Sequence, residues 1–168
     1  MDSHRGGWIE IIAGGMFSGK SEELIRRVRR AHIARQRVQV FKPTIDSRHA
    51  PDRVVTRDRR EVAAQTVATA AELEQALDPD VQVVGIDEAQ FFDAALVELV
   101  SRLADRGVRV VVAGLDQDYR RRPFGPMPAL LALAEHVDKV HAVCVVCGAP
   151  AHYSQRFAGG AEQVQVGD

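Results

Sequence analysis

Lysine is scarce among the charged residues of this 168-residue chain: of 22 basic residues only Lys20, Lys42 and Lys139 are lysines. Arginine carries nearly all the positive surface charge, so a lysine inside a motif is not filler. Cysteine is limited to Cys144 and Cys147, which excludes a multi-bridge disulfide framework. In a reducing compartment their C-x-x-C spacing favours metal binding or redox work. No apolar run approaches the roughly 18 residues of a membrane span, and the opening MDSHRGGW lacks the apolar core of a secretory signal. The expectation is a cytoplasmic chain with no membrane partner. Formal net charge is −1, so no global basic field points to nucleic acid or an anionic lipid surface. There is no internal repeat and no low-complexity tract.

What is present is a rhythm of apolar runs and amphipathic segments. WIEIIA, Trp8 to Ala13, has the pattern of a buried strand. SEELIRRVRRAHIARQ then places Leu24, Ile25, Val28, Ala31 and His32 at helical spacing, with Glu22 and Glu23 in the first turn, where the helix dipole favours acids. VQVF is the next strand, followed by a polar, proline-punctuated loop over 43–60 with at most short strands. Thr69 and Glu72 have capping-box spacing and predict a short helix. DVQVVGIDE and VRVVVAGLD are buried parallel strands by composition, each followed by an amphipathic segment, DAALVELVSRLADRG and MPALLALAEH. Strands alternating with helices predict an α/β fold with a mostly parallel sheet flanked by helices over residues 1–140. A small cysteine-bearing lobe over 141–168 follows.

Within this frame Gly14, Gly19, Lys20 and Ser21 satisfy G-x-x-x-x-G-K-[ST], with a strand before and a helix after. Glycines allow a tight turn that aims backbone N–H groups at phosphate oxygens, and the helix adds its positive N-terminus. Lys20 would reach the β- and γ-phosphates, and the Ser21 hydroxyl would ligate Mg²⁺. The alternative is a plain glycine-rich turn. Asp87 ends the apolar run before it, where ligands gather in open α/β sheets, and suits a carboxylate that serves Mg²⁺ directly or through water. Glu88 beside it could act as a general base. The alternative here is a pair of acids that cap the following helix.

The blocks GGMFSGKS, IDSR, IDEAQFF, GLDQDYRRRPFG and VCVVCGAPAHYSQR together resemble, in order and context, the type II (cellular-type) thymidine kinases, from about Trp8 to the end of the chain. The resemblance implies a P-loop NTPase core of the RecA-like kind and transfer of phosphate from ATP to the 5′-hydroxyl of thymidine, with deoxyuridine as a second acceptor. It places the ATP site on Gly14, Gly15, Met16, Phe17, Ser18, Gly19, Lys20 and Ser21, together with Asp87, Glu88, Ala89 and Gln90. Glu88 takes the role of catalytic base. Magnesium is expected at Ser21, Asp87 and Asp46, with Arg48 and Arg156 near the phosphates. Met16, Phe91, Leu115, Tyr119, Phe124 and Ser154 match residues around the nucleoside. Gly15 stands where many relatives have proline, and Tyr119 where some have phenylalanine. A homotetramer and feedback inhibition by thymidine triphosphate are also implied.

In that family a zinc-bearing lobe uses two C-x-x-C pairs, and a loop between them closes over the base. Cys144 and Cys147 match the first pair. The sequence stops at Asp168, short of the second, so the expectation is an incomplete zinc-ribbon-like lid that binds zinc weakly or not at all. A tetrahedral zinc needs four ligands, and His141 and His152 could complete the set. Two further readings stay open: a P-loop ATPase or nucleotide-controlled binding module in which Glu88 activates water, and a folded but inactive truncated kinase. The basic stretch RRVRRAHIARQR is expected to be a solvated helix face or a subunit contact rather than a DNA-binding surface. Trp8 is expected to pack the entry to the first strand.

Overall fold

The computed structural model describes residues 6–44, 53–55 and 61–152. β1 (Trp8–Gly14) runs through the glycine turn into α1 (Lys20–Ile33), and β2 (Val38–Pro43) follows. A small hairpin of β3 (Arg53–Val55) and β4 (Glu61–Ala63) precedes β5 (Gln65–Val67) and α2 (Ala70–Ala76). Then come β6 (Val83–Ile86), a single 3-10 turn at Ala89–Phe91, α3 (Ala95–Asp105), β7 (Arg109–Leu115), α4 (Met127–Leu133) and β8 (His136–Val140). β9 (Ala142–Val143) and β10 (Pro150–Ala151) pair antiparallel outside the main sheet.

Six strands form that sheet in the order β5-β2-β6-β7-β1-β8, and every neighbouring pair is parallel. This is the helix-flanked parallel α/β architecture that the alternating pattern predicts. Parallel strands buried on both faces need apolar residues at consecutive positions, and Val110 to Ala113 and Ile11 to Ala13 are all fully buried. Side chains alternate between the faces. Ile12, Val40, Val83, Val111 and Ala113 pack with Leu24, Ile25, Val28 and Ala31 of α1 and with Val54 of the hairpin. Ile9, Ile11, Phe41, Ile86, Val110 and Val112 meet α2, α3 and α4 through Leu73, Leu96, Leu99, Met127 and Leu130. Burial as complete as that of Leu24, Leu96 or Leu99 contributes roughly 2 kcal/mol per side chain.

One expectation about α1 needs correction. His32 fits the apolar spacing of the helix but is exposed; it lies beyond Ala31, the last packed position, and its neighbour Ile33 is 82 % exposed. The arginine-rich face is not uniformly solvated. Arg27 pairs with Glu23 at 2.8 Å, Asp138 at 2.6 Å and Glu10 at 2.9 Å. Glu10 is a buried acid in β1 that also accepts from Arg109 and from the Trp8 indole N–H. Trp8 therefore stands over the strand entry as a hydrogen-bond donor, with the Arg109 guanidinium 5.7 Å from its ring centre.

Candidate active site

Because all six strands are parallel, their carboxyl ends share one edge of the sheet, and the loops leaving them must converge there. Gly14 lies opposite Leu115 on β7 and Val140 on β8, which sets the phosphate loop against the ends of both strands. Gly19 caps α1 in the left-handed region, at φ 86°, where a side chain would strain the turn. The Gly15 carbonyl accepts from the Ser18 hydroxyl at 2.7 Å and from the Lys20 ammonium, so the loop closes on itself around its own lysine. Met16 is half-buried and Phe17 is 66 % exposed at the loop tip.

Burial holds the Lys20 ammonium below the usual lysine range, against the opposing pull of Glu88, Asp87, Asp116 and Glu22. A partly buried lysine surrounded by acids is a positioned counter-charge for phosphate oxygens. In the first turn of α1, the Ser21 hydroxyl donates to Asp87 at 3.0 Å. Asp87 is buried, and its carboxyl is pushed up to about 7 by desolvation and by the neighbouring Glu88 charge, against the Ser21 hydrogen bond. A hydroxyl and a crowded buried carboxylate at one point form a hard-oxygen donor set that suits Mg²⁺.

Glu88 sits at φ 51°, the left-handed region that a non-glycine residue enters at a cost. That conformation turns the chain sharply after β6, so that Asp87 and Glu88 do not share a direction. The 3-10 turn then brings in Gln90, which is buried and donates from Nε2 to Glu88 Oε2 at 2.6 Å. Gln90 Oε1 accepts the Leu115 N–H at 3.0 Å. Phe91 meets Phe124 edge to face, with ring centres 5.6 Å apart, and the Phe124 N–H donates to the Asp116 carbonyl at 3.2 Å. Phe91 and Phe124 are thus in ring contact, and Leu115 is joined through Gln90 to Glu88. Tyr119 lies in the turn between β7 and Phe124, half-buried, with its hydroxyl accepting from Arg120 Nε at 2.8 Å. Ala89 is fully buried in the core.

Cys144 and Cys147 flank a tight turn in which the Gly148 N–H donates to the Cys144 carbonyl and the Cys144 N–H to Ala149. Backbone N–H groups of Cys147 and Val146, with the Cys147 thiol, hold the Cys144 thiol below the usual cysteine range. This favours the thiolate form that a metal takes. His141 and His152 stack edgewise at 4.3 Å, but among the described residues no three histidine, cysteine or acidic side chains converge on one point. The described donors thus amount to two neighbouring thiols and a pair of histidines. Asp46, Arg48, Ser154 and Arg156 lie outside the described residues.

Two residues that sequence reasoning left unassigned belong to this edge. Asp116 follows β7 as Asp87 follows β6, an acid at the end of an apolar run; it acts on Lys20 and pairs with Lys139 at 3.3 Å. Asp118 is buried, and its carboxylate accepts the N–H groups of Arg120 and Arg122 at 2.8 and 3.0 Å. It shapes the turn that carries Tyr119. The spacing D-x-R-x-R carries no recognisable signal for that role, whereas the position of Asp116 does.

Comparison with known proteins places this geometry. The family model described as thymidine kinase matches residues 7–168. Thymidine kinases from two strains of Porphyromonas gingivalis are each 58 % identical over 167 residues, covering 99 % of this chain and 81 % of theirs. The thymidine kinase of Bdellovibrio bacteriovorus is 54 % identical over 164 residues, covering 98 % and 80 %. Among solved structures, domain III of the Thermotoga maritima replication initiation protein DnaA superposes with a TM-score of 0.47 at 17 % identity over 82 % of this chain and 56 % of that one, a likeness too loose to carry an inference. With a phosphate loop, two strand-end acids and an aromatic wall on one sheet edge, and with the family match spanning nearly its whole length, the chain belongs to the thymidine kinase family.

Proposed function

We propose that this chain transfers the γ-phosphoryl group of ATP to the 5′-hydroxyl of thymidine, and of deoxyuridine, in nucleoside salvage. The observation that supports it best is the placement of Glu88. Its carboxylate lies beside the Ser21–Asp87 pair, acts on Lys20, and is tied through Gln90 to the end of β7, where Leu115 stands. Transfer to an alcohol needs a base next to the phosphates and a dry surface for the acceptor.

In this reading the N–H groups of the loop from Gly14 to Gly19 and the Lys20 ammonium hold the β- and γ-phosphates. Glu88 takes the proton as the 5′-oxygen bonds to the γ-phosphorus and the bridging oxygen leaves with ADP. Phe91, Leu115, Phe124, Tyr119 and Met16 position the nucleoside and keep water from Glu88. Ser21 and Asp87, with Asp46, would hold Mg²⁺, which when bound neutralises charge on the phosphate oxygens. Arg48 and Arg156 are assigned to the phosphates and Ser154 to the nucleoside on family resemblance. Cys144 and Cys147 are assigned to zinc in a lobe over 141–168, distinct from the nucleotide-binding part over 1–140. Family membership also supports a cytoplasmic homotetramer inhibited by thymidine triphosphate.

The test is ADP release from ATP and Mg²⁺ with and without pyrimidine deoxynucleosides. Release should depend on thymidine or deoxyuridine. Glu88→Gln should lower kcat by at least about 100-fold while nucleotide binding persists. ADP release indifferent to thymidine would instead describe an ATPase. Near-stoichiometric zinc in the purified chain would show that further donors complete the Cys144–Cys147 half-site.

A further inference from the structure

We infer that Gln90 is a positioning residue for the transfer step, holding the Glu88 carboxylate at a fixed distance from the end of β7 and so from the acceptor pocket. The inference rests on the reading of Glu88 as the base. Gln90 is 2 % exposed, and its carboxamide spans two groups that each demand a different end of it. The Glu88 carboxylate can only accept, and it faces Nε2 at 2.6 Å. The Leu115 N–H can only donate, and it faces Oε1 at 3.0 Å. A flipped amide would set oxygen against carboxylate and N–H against NH₂, so one orientation is imposed. No other neutral side chain of similar length offers a donor and an acceptor at that separation.

The backbone makes room for this bracket. A Cβ on Gly114 would lie 3.0 Å from Gln90 Oε1 and 2.7 Å from the Met127 sulfur. A Cβ on Gly125 would lie 2.3 Å from the Gln90 carbonyl oxygen, and Gly125 also sits at φ 52°. Gly125 follows Phe124, so the strand end, the aromatic wall and the base are packed onto one residue. With water excluded at Gln90, no solvent molecule can take over the buried hydrogen bond from the Leu115 N–H. Glu88 needs such a tie because its left-handed backbone conformation does not by itself fix the direction of a three-torsion side chain. A misplacement of the order of 1 Å at a catalytic group costs about 100-fold in rate.

The experiment compares Gln90→Met, which keeps length and loses both hydrogen bonds, in two backgrounds: the natural chain and Glu88→Asp, whose shortened carboxylate the amide no longer reaches. Steady-state kinetics with thymidine and ATP, ATP binding by fluorescent-nucleotide displacement and thermal unfolding are measured on all four proteins. In the natural background kcat should fall 10- to 100-fold, with ATP affinity within about threefold. In the Glu88→Asp background the same change should lower kcat less than about twofold, because the group it orients is already out of reach. A loss by the same factor in both backgrounds, a loss that tracks ATP affinity, or a natural-background kcat within twofold of the unmutated chain would each overturn the inference. If Gln90→Met fails to fold, Gln90→Leu in the same four-protein comparison decides it. A Glu88→Gln protein with undiminished thymidine-dependent turnover would sink the base assignment itself, and the role of Gln90 with it. An inactive Glu88→Gln beside a fully active Gln90→Met would sink the Gln90 inference alone.

Discussion

Asp87 is a buried carboxyl held beside a second acid. Its folded carboxyl is raised from 3.8 to about 7, first by desolvation and then by Glu88. The protonated form is therefore the one the fold prefers. That preference contributes stability fully present below the unfolded value near 3.8, and lost as pH rises through about 7. Asp87→Asn keeps the shape and the contact with Ser21 and removes the penalty. In the absence of nucleotide and Mg²⁺ it should be more stable than the natural chain at pH 8, on the order of 4 kcal/mol, with the difference closing toward pH 4. Urea midpoints across that range check it, and phosphate transfer should be lost throughout. At this scale the motif residues were legible, because Gly14, Lys20, Ser21, Asp87 and Glu88 derive their meaning from strand ends and spacing. Gln90 was legible only as part of the block IDEAQFF. Its bracket depends on the Leu115 N–H, 25 residues away, which no local pattern reports.

Among the elements, α2 was the most readable. Thr69 and Glu72 have capping-box spacing, and the Glu72 N–H does donate to the Thr69 hydroxyl at 3.1 Å. The reciprocal bond shifts by one residue, with the Glu72 carboxylate accepting from Ala68 N–H at 2.7 Å rather than from Thr69. Thr69→Ala should cost about 1 kcal/mol of stability and leave kcat unchanged, since α2 lies on the α3 side of the sheet. Chemical denaturation alongside an activity assay separates the two effects. The strands β1, β6 and β7 were equally plain as apolar runs. The path from β7 to α4 was not. Asp118, the Gln117–Pro123 bridge and the Phe124 contacts build it from single side chains and one isolated β-bridge, and such turns have no periodicity to read.

For the molecule as a whole, the Glu10 cluster joins elements distant in sequence, reaching from β1 to Arg27 on α1 and Arg109 on β7, with Asp138 on β8 beyond. Burial would raise the Glu10 carboxyl, yet hydrogen bonds from Arg109 and Trp8 and the charges of Arg109 and Arg27 hold it below the usual range. A depressed value means stability present above 4.5 and lost as pH falls through the lower folded value. Glu10→Gln takes the paired carboxylate from the half-buried Arg109 guanidinium, while Arg27 keeps Glu23 and Asp138, and should destabilise the fold by about 3 kcal/mol at pH 7. The deficit should shrink as pH drops below 4, which thermal unfolding at pH 7 and pH 3.5 would show. Within WIEIIA this glutamate resembled an ordinary polar interruption, because its partners lie 17 and 99 residues away.

The register of β1 has a further consequence during synthesis. Trp8 pairs with Arg109, and Glu10 with His136, so the earliest strand of the sheet to leave the ribosome waits for partners made among the last. At roughly 5–20 residues per second the interval to β8 is about 6–25 s. Until β7 is made, Ile9, Ile11 and Ile12 have no neighbouring strand to join. The nascent phosphate loop is thus unable to retain a nucleotide until the central strands have been translated, and holding chaperones have a defined apolar segment to shield.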